Sequence, residues 1–235
     1  MNILGVKDAL VMFMLNDSKF IKRVLSSIVL APIVIACVYF GGVYFQILIG
    51  MLLGIAMFEW WRISFKIKYS PIIGVFGAVY IGICIGAFYQ LRMDFDGVGI
   101  YLTICLLALV WSGDTGAYFA GKFIGGVKMA PKLSPNKTWS GLIGGMIVGG
   151  GVFYLLVGYF LDITHIMVFV FGALMGVVGQ IGDVVMSAMK RYVGIKDTGN
   201  LIPGHGGILD RIDALLPVSL CVYVAYILLF GVSVA

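Results

Sequence analysis

Charge is what this 235-residue chain lacks most: 11% of its residues are Asp, Glu, Lys or Arg, against 61% that are hydrophobic. A mean hydropathy of +1.08 is far above that of a soluble globular domain. Six runs hold no charged residue at all, namely Val24–Phe58, Tyr69–Leu91, Gly97–Gly113, Thr138–Leu161, Ile163–Gly182 and Ala214–Ala235. Most reach the roughly 20 residues with which a helix crosses about 30 Å of hydrocarbon. The first is long enough for two helices, with Gly41-Gly42 as the turn between them. None of these runs alternates apolar with polar residues, which excludes a membrane β-barrel. The expected fold is all-α, a polytopic membrane bundle of about seven spans. Eight or nine result if half-buried pieces such as Gly113–Gly126 are counted.

Other absences narrow the chemistry. The four cysteines, Cys37, Cys84, Cys105 and Cys221, lie inside apolar runs without CxxC spacing, and read as small buried hydrophobes. Of the two histidines, His205 has no second His or Cys near it, so a zinc site is not expected. Ala9–Leu15 is apolar but is interrupted by Asn16-Asp17-Ser18-Lys19 with no small-residue cleavage site after it. Residues 1–20 are thus expected to form an interfacial helix or a tail, not a cleaved signal. Neither a repeat nor a low-complexity linker is visible, so 1–235 reads as a single membrane-embedded domain.

The charge that is present has a pattern. A net charge of +5 would suit a nucleic-acid partner, but the distribution argues for membrane lipids and no nucleic acid. With the N-terminus inside, Lys7, Lys19, Lys22 and Arg23 share a side with Arg62, Lys66 and Lys68. Lys122, Lys128, Lys132 and Lys137 join them, as do Lys190, Arg191, Lys196 and Arg211. That is 15 of the 16 basic residues, with Arg92 alone outside. The positive-inside bias makes the rich side cytoplasmic. Gly141, Gly145 and Gly149 recur on one helical face, where small residues permit close approach. They would meet either another span or a second subunit, the latter giving a homodimer.

Residues 1–96 then read as N-terminal spans, and 97–235 as a catalytic half with two inside loops, 114–137 and 183–213. The first loop carries four lysines, several glycines and Ser134-Pro135-Asn136-Lys137-Thr138 just before a span. Lysine, hydroxyl and exposed N–H groups at a helix start hold phosphate oxygens, and the same lysines would also serve as an anchor over anionic headgroups. In the second loop Asp183 ends an apolar run, where an unpaired carboxylate is costly. Asp183 and Ser187 share a helical face with Lys190 and Arg191 one turn on. Asp210 and Asp213 lie one turn apart before the last span. Two such carboxylates from different segments suit a hard cation such as Mg²⁺, and Arg211 suits a phosphate bridging to it. The glycines of Pro203–Gly207, among them Gly206, would let backbone approach a bulky anion. His205 is open to three roles: ligand, general base or hydrogen-bond donor.

Ser187-x-x-Lys190-Arg191, Lys196-Asp197 and the run Pro203-Gly-His-Gly-Gly-x-Leu-Asp-Arg-x-Asp213 resemble the signature of phosphatidate cytidylyltransferases, the CDP-diacylglycerol synthases. A second block, Asp114-Thr-x-Ala-Tyr-Phe-x-Gly-Lys122 with Ser134-Pro-x-Lys-Thr138, is similar to the same family. The resemblance implies a bacterial inner (cytoplasmic) membrane enzyme with its site facing the cytoplasm. It implies that phosphatidate attacks CTP in the presence of Mg²⁺, giving CDP-diacylglycerol and pyrophosphate. Carried over, Asp183 and Asp210 match the metal-binding carboxylates, with Asp197 and Asp213 supporting them. Lys190, Arg191, Lys196 and Arg211 would hold phosphates, while Ser134, Lys137 and Thr138 would bind nucleotide or lipid phosphate. Asp114, Lys122, Ser187, Gly206 and Gly207 belong to the same substrate site, and His205 to the catalytic set. The chain departs from the pattern at Ser140, where an acidic residue is usual, and at Ala214, where Ser is common. A related membrane lipid kinase or nucleotidyltransferase acting on a polyprenol, and a polytopic transporter, are the alternative functions. Transporters tend to place charge at mid-span and to pair broken helices in two halves, neither of which is visible here.

Overall fold

The computed structural model describes residues 18–67, 70–93, 97–201 and 206–230. The N-terminal segment 1–17 and His205 lie outside the described residues. Six helices of 23 to 27 residues follow in order: α1 Ser18–Phe40, α2 Gly42–Ser64, α3 Ser70–Met93, α4 Val98–Phe123, α5 Trp139–Leu161 and α6 Ile166–Tyr192. A four-residue turn of helix, α7 Leu209–Ile212, leads into α8 Leu215–Phe230. Among the described residues, five helices, α2 to α6, are long and apolar enough to cross a membrane, whereas α1 and α8 carry shorter apolar stretches, Ile28–Phe40 and Leu215–Leu229. Such helices satisfy their backbone internally, which is what hydrocarbon demands.

The long first run does break where the glycines stand. Gly41 and Gly42 both have positive φ, 64° and 51°, a conformation that side chains disfavour. The orphan carbonyls at the end of α1 are met by Arg92 at the end of α3, whose Nε donates to the Val38 oxygen at 2.6 Å and Nη2 to that of Tyr39 at 3.4 Å. The lone basic residue expected outside is therefore a helix cap. At the start of α6, His165 caps in the same spirit, its Nδ1 accepting from Met167 N at 3.3 Å.

The glycine stripe faces α4, not a second subunit. A Cβ on Gly145 would lie 3.0 Å from the Gly113 carbonyl, one on Gly149 3.1 Å from that of Leu109, and one on Gly141 2.9 Å from that of Ala117. Backbones this close leave no room for side chains. On the next face Gly150 of α5 meets Gly172 and Ala173 of α6 in the same way.

Two boundaries differ from the sequence expectation. Asp114 does not open a loop, because α4 continues about two and a half turns past it to Phe123. The connection is shorter, 124–138, and contains a small antiparallel pair: β1 Lys128–Ala130 with β2 Ser134–Thr138. α6 continues through Asp183, Ser187, Lys190 and Arg191 to Tyr192, in keeping with their shared helical face, so that the second loop begins at Val193 and not at 183. The apolar run ends at these charges, but the helix does not, since polar side chains at helical spacing leave its backbone bonds intact.

Candidate active site

Where α4, α5, α6, β2 and the 193–213 segment converge, a cavity of about 390 Å³ opens. From α4 it takes Asp114, from β2 Ser134, Lys137 and Thr138, and from α6 Asp183 and Lys190. The signature segment adds Asp197, Asp210, Arg211 and Asp213. Residues from both expected blocks, 45 or more positions apart, thus line one space.

Two lysine–carboxylate pairs organise it. Lys137 Nζ lies 2.6 Å from Asp183 Oδ2, with the Asp183 side chain 33% exposed, and also 3.5 Å from the Gln180 carbonyl. Ser187 donates to Asp183 Oδ1 at 3.3 Å. The second pair is deeper. Lys190 Nζ donates to Asp210 Oδ1 at 2.5 Å, with only 4% of the Asp210 side chain exposed. Asp210 Oδ2 accepts from Thr198 N at 2.8 Å and Gly207 N at 3.0 Å, and has the Thr198 hydroxyl at 3.0 Å. Burial alone would raise the Asp210 pKa, but the Lys190 bond and the two backbone N–H groups outweigh it and hold the carboxyl below its ordinary value.

Asp213 has the opposite environment. Burial, and then the negative charge of Asp183, push its pKa above the usual carboxylate range, while Lys190 only partly offsets them. In all, five carboxylates face the cavity against Lys137, Lys190 and Arg211. A space with that many carboxyl oxygens suits a hard divalent cation. Among the described residues, no group of three or more His, Cys, Asp or Glu side chains is placed to hold a metal ion by itself. Mg²⁺ does not need one, because it is commonly held by one or two carboxylates with waters and substrate phosphates completing the octahedron.

The hairpin side is knit by hydroxyls. Thr138 caps α5 by accepting from Gly141 N at 3.1 Å, and lies 3.0 Å from Ser140, whose own proton goes to the Gly125 carbonyl. The relay runs from Gly141 N–H through Thr138 to Ser140. An ionised carboxylate at position 140 would have no proton to give that carbonyl; serine supplies one.

Not every expected residue reaches the cavity. Lys122 is drawn aside to Tyr118, its Nζ 3.3 Å from the phenol oxygen and 5.4 Å from the ring centre. Arg191 is exposed and donates to the Ile195 carbonyl at 3.2 Å, and Lys196 is exposed on the loop. Ser187, Gly206 and Gly207 act behind the lining: Gly206 has φ 85°, and a Cβ there would lie 2.8 Å from Asp210 Oδ2. Tyr118 and Asn136, which the quoted motifs contain without a role of their own, and Gln180 also line the space.

One residue escaped sequence reasoning entirely. Glu59 of α2 is 3% exposed, and its carboxylate accepts from Ile208 N at 3.0 Å, Leu209 N at 2.9 Å and the Thr198 hydroxyl at 2.8 Å. It is the only glutamate in the chain, and a carboxylate at the edge of a 35-residue uncharged run was the signal available.

Residues 65–229 match the sequence profile of the Cytidylyltransferase family. The chain is 34% identical over 223 residues to a phosphatidate cytidylyltransferase of Rickettsia conorii, covering 91% of this chain and 94% of that protein. It is 42% identical over 142 residues to one of Bacillus subtilis and 43% identical over 149 residues to one of Brucella suis. Those two matches cover 59% and 63% of this chain, but only about half of each relative, 52% and 54%. With more than half of its length in the profile, the chain belongs to the cytidylyltransferase family.

Proposed function

We propose that the protein is a phosphatidate cytidylyltransferase, transferring CMP from CTP to phosphatidate to form CDP-diacylglycerol and pyrophosphate. The observation that carries this reading is the cavity itself. It joins three cationic side chains and five carboxylates from two distant sequence blocks, among helices apolar enough to keep a lipid substrate beside it. The named activity of the Rickettsia relative, matched over nearly its whole length, supports it.

In this reaction an oxygen of the phosphatidate phosphate forms a bond to the α-phosphorus of CTP. The bond from that phosphorus to the α–β bridging oxygen breaks, and its electron pair leaves with pyrophosphate. No covalent nucleophile of the protein is needed; positioning and charge neutralisation supply the catalysis. Lys137 and Lys190 now sit on Asp183 and Asp210. An arriving phosphate gives Lys137 a new acceptor, Lys190 can donate a further N–H without leaving Asp210, and Arg211 presents a planar fork to two phosphate oxygens. The carboxylates of Asp183 and Asp210, with Asp213 alongside, would hold Mg²⁺. When bound, that ion neutralises charge developing on the phosphate oxygens.

We further place the N-terminus and the cavity on the cytoplasmic side of a seven-span chain, from the basic-residue distribution. Tags at the two ends should then show opposite protease access in sealed vesicles; equal access would break that topology. The test of function is CTP-dependent pyrophosphate release by detergent-purified protein. Phosphatidate should support release in step with CDP-diacylglycerol. Release that is no greater with phosphatidate than with a polyprenyl phosphate would defeat the assignment.

A further inference from the structure

We infer that Glu59 is a positioning residue for nucleotidyl transfer, an anchor in α2 that fixes the signature segment 198–210 against the cavity. The inference rests on the reading of that cavity as the transfer site. Glu59 lies outside the stretch that matches the family profile, residues 65–229, and does not line the cavity. Yet it gathers three donors from the segment: Ile208 N–H, Leu209 N–H and the Thr198 hydroxyl.

The geometry makes one hydrogen-bonded sequence from α2 to the site. The Thr198 oxygen lies 2.8 Å from Glu59 Oε2 and 3.0 Å from Asp210 Oδ2. Its single proton serves one carboxylate at a time, so the hydroxyl sits between the two. The Thr198 N–H holds Asp210 as well. Leu209 N, held by Glu59, opens the short helix α7 that carries Asp210 and Arg211 into the cavity.

Two glycines record the same contact independently. A Cβ on Gly199 would fall 2.5 Å from Glu59 Oε1, and one on Gly207 would collide with Glu59 and Thr198 together. Glycine at both positions is thus explained by a carboxylate pressed against the loop backbone. An isolated carboxylate in this apolar setting is expensive. Here its hydrogen bonds all go to the one segment that presents the reacting charges.

Glutamine at 59 keeps the size but offers one acceptor oxygen, and its NH₂ would face an N–H or O–H donor. For purified Glu59→Gln in detergent, turnover at saturating CTP and phosphatidate should fall about 10- to 100-fold, the scale of a small displacement of reacting groups. Both apparent KM values should stay within about threefold, since Glu59 touches no substrate space. Amide hydrogen exchange should rise at Ile208 and Leu209 by about tenfold or more while the long helices keep wild-type protection. A role in overall stability alone would not produce that local pattern. Wild-type turnover in Glu59→Gln, or lost turnover with wild-type exchange at Ile208 and Leu209, would overturn the inference. Glu59→Asp keeps the charge but shortens the reach to the Ile208 and Leu209 amides, and its exchange decides the matter if the Gln variant does not purify: unchanged exchange at Ile208 and Leu209 refutes the anchor. If wild-type protein makes no CDP-diacylglycerol, the proposed reaction falls, and the exchange comparison still tests the anchor.

Discussion

The two segments that close over the cavity are built on opposite principles. The 193–213 segment is tied from beneath: Asp210 is gripped by Lys190, Thr198 and Gly207, and Glu59 holds the next two backbone N–H groups. The 124–138 segment is a short irregular hairpin whose Lys137 reaches the one-third exposed Asp183 at the mouth. A buried ion pair, once formed, is hard to part because each charge would be left without solvent. The half-buried Lys137–Asp183 pair keeps part of its solvent and exchanges partners at less cost. The first segment therefore sets fixed reaction geometry, and the second can follow a substrate in and out.

The sharpest way to break this comparison is to neutralise each carboxylate. Asp183→Asn and Asp210→Asn should each lower turnover by roughly 100-fold, the scale of losing a main electrostatic stabiliser. Their stabilities should differ. Asp210→Asn strands Lys190 in a buried site, a loss of about 3–5 kcal/mol, whereas Asp183→Asn parts a more exposed pair worth about 1 kcal/mol or less. Thermal melting beside a Mg²⁺ titration of product formation separates the two effects. Equal melting shifts would mean that both pairs are the same kind of contact.

Next in size is Lys137→Ala. If the hairpin lysine follows phosphate, its loss removes a charged hydrogen bond worth about 1.5–3 kcal/mol, or roughly 10- to 150-fold in kcat/KM. Melting should change little, because Asp183 remains solvated. Wild-type kcat/KM for both CTP and phosphatidate would leave the hairpin as an anchor over headgroups and nothing more.

Asp213 sharpens the fixed side through pH. Its pKa is raised by burial and by Asp183, so the folded state keeps a proton that the unfolded chain has already released. Its contribution to stability is complete below the unfolded value of about 4 and is lost as pH rises through the raised one. In EDTA, melting temperature should decline across that interval, and Asp213→Asn should flatten the decline. An identical slope in the variant would remove Asp213 from the coupled cluster.

Much of this arrangement was legible in the residues, and the exceptions share a cause. The break at Gly41-Gly42 followed from a local signal, a glycine pair in an apolar run, whereas the convergence of the two blocks was implied by the family resemblance alone. The helix ends followed from neither. Asp114 and Asp183 mark where charge begins, but α4 and α6 run on because a polar side chain at a helix surface costs the backbone nothing. Glu59 gave one local signal, a lone carboxylate at the edge of an uncharged run, but its partners lie 139 to 150 positions away and no local pattern names them. The glycine stripe fixed a close approach, and only the fold assigned it to α4.

The smallest expected effect tests whether the adaptable side has a rigid base. Thr138 is 2% exposed although it lines the cavity, and its hydroxyl is already engaged with Gly141 N and Ser140. Thr138→Ala should therefore act first as the loss of an N-cap, about 1 kcal/mol of stability. Loosening the start of α5 would carry the Lys137 backbone with it, so affinity for CTP should weaken modestly alongside. Thr138→Ser keeps the oxygen and should restore both melting temperature and KM together. A direct phosphate contact predicts something different: in Thr138→Ala, KM for CTP would rise with no change in melting. Measuring the two quantities on the same preparations decides between a cap that steadies the hairpin and a ligand that belongs to the moving side.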